Sequence, residues 1–203
     1  MATSSTPYGL KPVKRADGMP YAGATSQYLI DPAGEATNLF YGQVVIIGAD
    51  GYIALATGTG ADLTSNSISG TSGVGAIGVF VGCEYVNAQG QTIFAQYYPS
   101  GTANGGAIKA YVVDDPNVLF QCQANAAMDQ SDIGANVYFT TAQTTSTGST
   151  ATGNSTSAVV GATVTTAAAF RVVAAVSDLT ESNPDILVKF NPGAHQMTNN
   201  VGI

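Results

Sequence analysis

From about Asn38 onward the chain consists of short β-branched and aromatic runs separated by Gly, Asp, Asn and Pro, and no stretch keeps apolar residues at a 3.6-residue period. Period-two and continuous short apolar runs between turn residues predict strands, and many such runs predict an all-β body. Residues 43–47 and 52–56 flank Asp50-Gly51, a pair suited to a type I′ hairpin turn. Residues 76–86 and 92–98 flank Asn87-Ala88-Gln89-Gly90 and predict a second hairpin, with Phe80, Tyr85, Phe94 and Tyr98 placed to pack across strands. Further strands are predicted at 107–113, 118–124, 135–139, 170–176 and 185–190. The expected body is a single β-barrel or β-sandwich, jelly-roll-like, over residues 37–203.

Two regions break this pattern. Residues 1–36 contain Pro7, Pro12, Pro20 and Pro32 with scattered apolar anchors, which reads as an extended N-terminal arm. No residue between Ile133 and Phe170 is charged, and 140–156 is almost wholly Thr, Ser, Gly and Ala. A low-complexity loop at about 140–169 is therefore expected, with a second long loop at 57–75.

Composition narrows the classes of function. Charged residues make up 9% of the chain, against about a quarter in ordinary soluble domains, while 45% are hydrophobic. So neutral a surface suits covering by another protein, and self-association into a homodimer or homotrimer is expected. A net charge of -7 leaves too few Lys and Arg for a nucleic-acid backbone, so nucleic acid is not an expected partner. The most apolar tract, 158–176, is interrupted by Thr163, Thr165, Thr166 and Arg171 and is too short for a membrane helix, so no membrane partner is expected. The opening Met-Ala-Thr-Ser-Ser-Thr-Pro carries no secretory signal pattern, so the product is expected to be made in the host bacterial cytoplasm and to stay in that cell until lysis or assembly. Cys83 and Cys122 lie inside apolar runs and are expected as buried free thiols.

Candidate chemistry is sparse. His195 is the only histidine, with no Cys or acid close by in sequence, and reads as a turn or interface residue rather than a metal ligand or triad member. No nucleophile-elbow, zinc-protease or phosphate-loop pattern occurs. Asp114-Asp115-Pro116-Asn117 is the densest acidic spot and reads as a turn, although a carboxylate pair for glycan hydrolysis requires only spatial proximity. Of the adjacent Tyr97 and Tyr98, alternation sends one to the core and the other to the surface. No catalytic residue, metal site or cofactor is expected.

The most interpretable charged feature is in the arm, where Lys11, Lys14 and Arg15 hold half of the chain's six cations. With Tyr8, Leu10 and Val13 they form a candidate contact segment, charge orienting it on an acidic neighbour and the apolar residues supplying buried area.

The segments 6–13, 78–85, 94–99, 110–116, 119–123 and 186–191 (Thr-Pro-Tyr-Gly-Leu-Lys-Pro-Val, Gly-Val-Phe-Val-Gly-Cys-Glu-Tyr, Phe-Ala-Gln-Tyr-Tyr-Pro, Ala-Tyr-Val-Val-Asp-Asp-Pro, Leu-Phe-Gln-Cys-Gln and Ile-Leu-Val-Lys-Phe-Asn) together resemble small virion structural proteins of tailed bacteriophages. The resemblance implies a capsid decoration, or cement, protein: non-enzymatic, bound to the major capsid protein on the outer capsid surface of the virion, with an extended terminus clamping neighbouring subunits. The alternative from another class is a receptor- or glycan-binding module of a tail or surface fibre.

Overall fold

Residues 44–47, Val-Val-Ile-Ile, are apolar at every position because both faces of that strand are covered. In the computed structural model, which describes residues 4–32, 37–61, 75–101, 107–144 and 146–198, Val44 and Ile46 join one buried cluster and Val45 joins another. A continuous apolar run is what double-sided burial demands of a strand.

Eleven strands are described: β1 (Lys11–Arg15), β2 (Ser26–Ile30), β3 (Val44–Ile47), β4 (Ile53–Leu55), β5 (Gly78–Val86), β6 (Thr92–Ala95), β7 (Ile108–Val113), β8 (Val118–Gln123), β9 (Asn136–Val137), β10 (Phe170–Ala175) and β11 (Asp185–Phe190). They form two sheets, and the only helical pieces among the described residues are two 3-10 turns at Gln130–Asp132 and Pro192–Ala194. Sheet I has the order β1-β8-β11-β10-β9, all antiparallel. Sheet II has the order β3-β4-β2-β7-β5-β6, and β3 pairs β5 as well, so the pairing returns on itself through β3, β4, β2, β7 and β5. The β2–β4 step in that circuit is parallel and rests on Ile30 and Ile53.

Two clusters follow from this arrangement. Ile30, Val45, Ile53, Leu55, Phe80, Cys83, Ile108, Ala110 and Val112 project from sheet II into a cluster of their own. The second cluster joins the sheets: Val44, Ile46, Val79 and Val113 of sheet II meet Phe120, Cys122, Phe170, Val172, Ile186, Val188 and Phe190 of sheet I. Phe170 lies 5.0 Å from Phe190 and 5.1 Å from Phe139 between ring centroids, within the range of favourable aromatic pairs. Cys83 and Cys122 fall in different clusters and both are free; burial pushes the Cys83 thiol up to about 12 and raises Cys122 as well.

Both predicted hairpins form, the first with a turn other than the expected type I′. Gly51 has φ 81° and Gly90 has φ 80°, while no described non-Gly residue has positive φ. Asp50 therefore does not adopt the type I′ conformation. Instead Gly51 N donates to Gly48 O and Gly48 N to Tyr52 O, and Gly90 N donates to Asn87 O and Asn87 N to Gln91 O. This is a turn closed by one left-handed Gly, and Asp50 and Asn87 accept from the backbone N of Tyr52 and Gln91 to hold it.

The segment read as an arm contributes strands to both sheets. β1 pairs β8 from Lys11↔Gln121 to Arg15↔Val118, and β2 pairs β7 from Ser26↔Val112 to Ile30↔Ile108. Position 37 thus does not part an arm from a body. Pro12 is accommodated because β1 is the last strand of sheet I, where one side of the backbone needs no ladder partner.

The Ser/Thr/Gly stretch is anchored by two buried glutamines. Gln43 Oε1 accepts from Phe40 N at 2.8 Å while its Nε2 donates to Thr147 Oγ1 at 3.0 Å; Gln143 Oε1 accepts from Val44 N at 3.1 Å. Tyr41 and Asn154 form a parallel bridge, and Gly153, Ser155, Ser157 and Val159 are buried. Most of 140–156 is exposed or half-buried, and close packing is confined to a few small residues. A Cβ on Gly148 would collide with the ring of Phe40, which is itself buried and stacked on Tyr97 at 5.5 Å. Gly148→Ala is expected to cost about 1–3 kcal/mol by overpacking, lowering the melting temperature by roughly 3–10 °C. An unchanged melting curve would mean that this stretch does not pack on Phe40. The loop predicted at 57–75 lies mostly outside the described residues.

Candidate interaction surface

Ladder partners project to the same side of a sheet, so register assigns faces. In sheet I, Pro12, Phe120, Val188 and Val172 share one row, and three of them belong to the inter-sheet cluster. The adjacent row, Lys11, Gln121, Leu187 and Ala174, therefore faces outward. Lys14 opposite Leu119, and Arg171 opposite both Lys189 and Asn136, lie on the same outer face.

Four of the chain's six cations, Lys11, Lys14, Arg171 and Lys189, thus share one face of a protein with net charge -7. None of the four has an ion-pair partner among the described residues. The ion pairs there are Arg15 with Asp17 and Asp115, and Lys109 with Glu84. Neutral contacts hold two of the four in place: Arg171 Nε donates to Asn136 Oδ1 and Lys189 Nζ to Asn117 Oδ1, both at 3.3 Å. Leu119 and Leu187 lie in the outward rows but are already covered within the chain, 3% and 6% exposed. Val13 and Val173 stand beside them at 38% and 39%; each is the extra residue where the register shifts in β1 and β10. A bulge turns its residue out of the regular alternation, which is why both valines are presented outward.

The six residues singled out from sequence have separate positions. Lys11, Val13 and Lys14 lie on the outer face. Leu10 is fully buried in the inter-sheet cluster. Tyr8 is half-buried and its hydroxyl donates to Asp185 Oδ1 at 2.9 Å; burial foremost, then that carboxylate, raises its pKa. Arg15 bridges Asp17 and Asp115. Arg171 and Lys189 were not singled out, since only the β10–β11 and β1–β8 registers bring them to one face with Lys11 and Lys14.

The acidic spot at 114–115 is a turn: Asn117 N donates to Asp115 Oδ1, Val118 N to Asp115 O, and Tyr28 Oη to Asp114 Oδ2. Tyr98 is the core tyrosine and Tyr97 the surface one. His195 is 1% exposed, and burial lowers its pKa to about 4. Among the described residues no group of three or more His, Cys, Asp or Glu is placed to hold a metal, and no helix is long and apolar enough to cross a membrane.

These features define an all-β protein of two sheets with a cationic outer sheet face. Comparison with known proteins finds no matching family model, no matching curated protein and no matching solved structure.

Proposed function

We propose that this chain is a non-enzymatic capsid decoration protein of a tailed bacteriophage, bound to the major capsid protein on the outer surface of the shell and acting as a homodimer or homotrimer. The observation that carries the reading is the outer face of sheet I, where four cations without ion-pair partners among the described residues stand with the exposed Val13 and Val173 on an otherwise acidic molecule. Such a face is built to meet an acidic protein surface: charge sets orientation and association rate, and the two outward valines supply apolar area. The sequence resemblance to phage virion proteins supplies the identity of that partner. Several shell contacts made at once by one oligomer make modest affinity at each contact sufficient.

In this reading the clamp is a strand face fixed to the body, not a free arm. The closed circuit of pairings in sheet II supports treating that half as a small barrel on which sheet I is carried. The test is decoration of empty shells of the producing phage by the intact protein and by the Lys14→Gln/Arg171→Gln/Lys189→Gln variant. Three lost charges at up to about 0.5 kcal/mol each should weaken occupancy roughly tenfold, with the circular dichroism spectrum unchanged. Equal occupancy of the two proteins would remove this face from the contact.

A further inference from the structure

β5 is longer than either strand beside it on one edge: β3 pairs at Val79 and Gly78, β6 begins pairing at Cys83, and Val81 and Gly82 lie between. A trough of about 680 Å³ opens over that gap, with Gly82 in its wall and the start of β1 along one side. Its size is that of small-molecule sites. Gly82 has φ 151° and pairs with Tyr111 across the bulge, so no side chain occupies the space in front of it.

Four aromatic rings line the trough: Tyr8, Tyr41, Phe94 and Tyr111. Two of them are tethered from their hydroxyl ends, Tyr8 to Asp185 at 2.9 Å and Tyr111 to Glu84 at 3.0 Å, which fixes the rings before any ligand arrives. Phe94 stands 72% exposed, the most exposed large apolar side chain among the described residues. Gln96 and Asn154 add side-chain amides, already bonded to each other through Gln96 Nε2 and Asn154 Oδ1. Lys11 is the only charged lining residue and has no ion-pair partner among the described residues.

We propose that this trough binds an acidic saccharide. Aromatic faces accept the C–H faces of sugar rings, paired amides exchange hydrogen bonds with vicinal hydroxyls, and the ammonium of Lys11, with Lys14 further along β1, selects a carboxylate on the sugar. Among the described residues no carboxylate lines the trough; those of Asp185 and Glu84 stand behind the Tyr8 and Tyr111 hydroxyls that they hold. This inference rests on the trough alone and does not depend on the capsid reading: saccharide binding and shell decoration are measured separately, on different variants.

The test is a titration of the full-length protein, followed by aromatic and backbone NMR, with tetragalacturonic acid and, separately, with neutral maltotetraose. The acidic tetramer is expected to shift signals of Phe94, Tyr111, Tyr41 and Tyr8, and maltotetraose to bind more weakly. Phe94→Ser should weaken binding roughly fivefold and Lys11→Gln roughly threefold. Both substitutions are at exposed positions, and unchanged signals from the two buried clusters would show that the variants fold. No shift up to about 10 mM acidic tetramer, equal affinity for the neutral one, or binding untouched by both substitutions would overturn the proposal.

Discussion

Deletion of residues 1–16 is expected to unfold the protein rather than trim a tail from it. The deletion removes all of β1, exposing the edge of β8 from Val118 to Gln121, and takes Leu10 out of the inter-sheet cluster. It also removes the bonds of Gly9 N to Ser157 O, Leu10 N to Gly42 O and Tyr8 Oη to Asp185. Loss of a fully buried Leu alone costs about 2–5 kcal/mol. With the strand pairing added, the loss reaches the roughly 5–15 kcal/mol that stabilises a typical domain. Thermal denaturation checks this, with a deletion of residues 1–5 as the control: the short deletion should melt close to the intact protein, and the long one should show no cooperative transition. A cooperative transition within a few degrees of the intact protein for the long deletion would mean that β1 adds nothing to the fold.

The protein should lose stability in mild acid through His195. Its Nδ1 accepts from Met197 N at 3.2 Å, its Nε2 is buried with no hydrogen-bond partner among the described residues, and its ring packs edge-on against Phe190 at 5.4 Å. Burial lowers its pKa to about 4, opposed by the carboxylates of Asp114 and Asp115. In the unfolded chain the imidazole titrates near 6.5, so between about pH 6.5 and 4 the unfolded state takes up a proton that the folded state refuses. The stabilisation is whole above about pH 6.5, declines as the pH falls, and is gone below about pH 4. The full span is about 3 kcal/mol. His195→Gln keeps a hydrogen-bonding side chain and removes the titration. Urea unfolding at pH 7 and pH 4.5 should show a larger stability loss in the intact protein than in the variant; equal losses would mean that His195 does not carry the pH dependence.

The hairpins and the central strands were legible because their signals are local: apolar runs such as 44–47 and 118–122 between Gly- and Asn-containing turns. The turn type at Asp50-Gly51 was not legible, since one extra residue in the loop changes which position takes positive φ. β1 was hidden by Pro12 and by the charges around it. Lys-Pro-Val-Lys-Arg has no strand pattern of its own, and its strand conformation is supplied by pairing with β8, more than 100 residues away. The same cause hid the cationic face. Lys11 and Lys14 are visible as a cluster, but Arg171 and Lys189 join them only through register, which sequence spacing does not encode. The stretch at 140–156 is the largely exposed loop that its small residues indicated; what they did not indicate is the close approach of Gly148 to Phe40 and of Ser155 to Gly9.

Cryo-electron microscopy of purified phage particles, with copy number per particle counted by quantitative mass spectrometry, tests the proposed role most directly. The account predicts hundreds of copies on the outside of the shell at symmetry-related positions, with Lys14, Arg171 and Lys189 turned toward acidic residues of the major capsid protein. A few copies confined to the tail, or none on the particle, would contradict it.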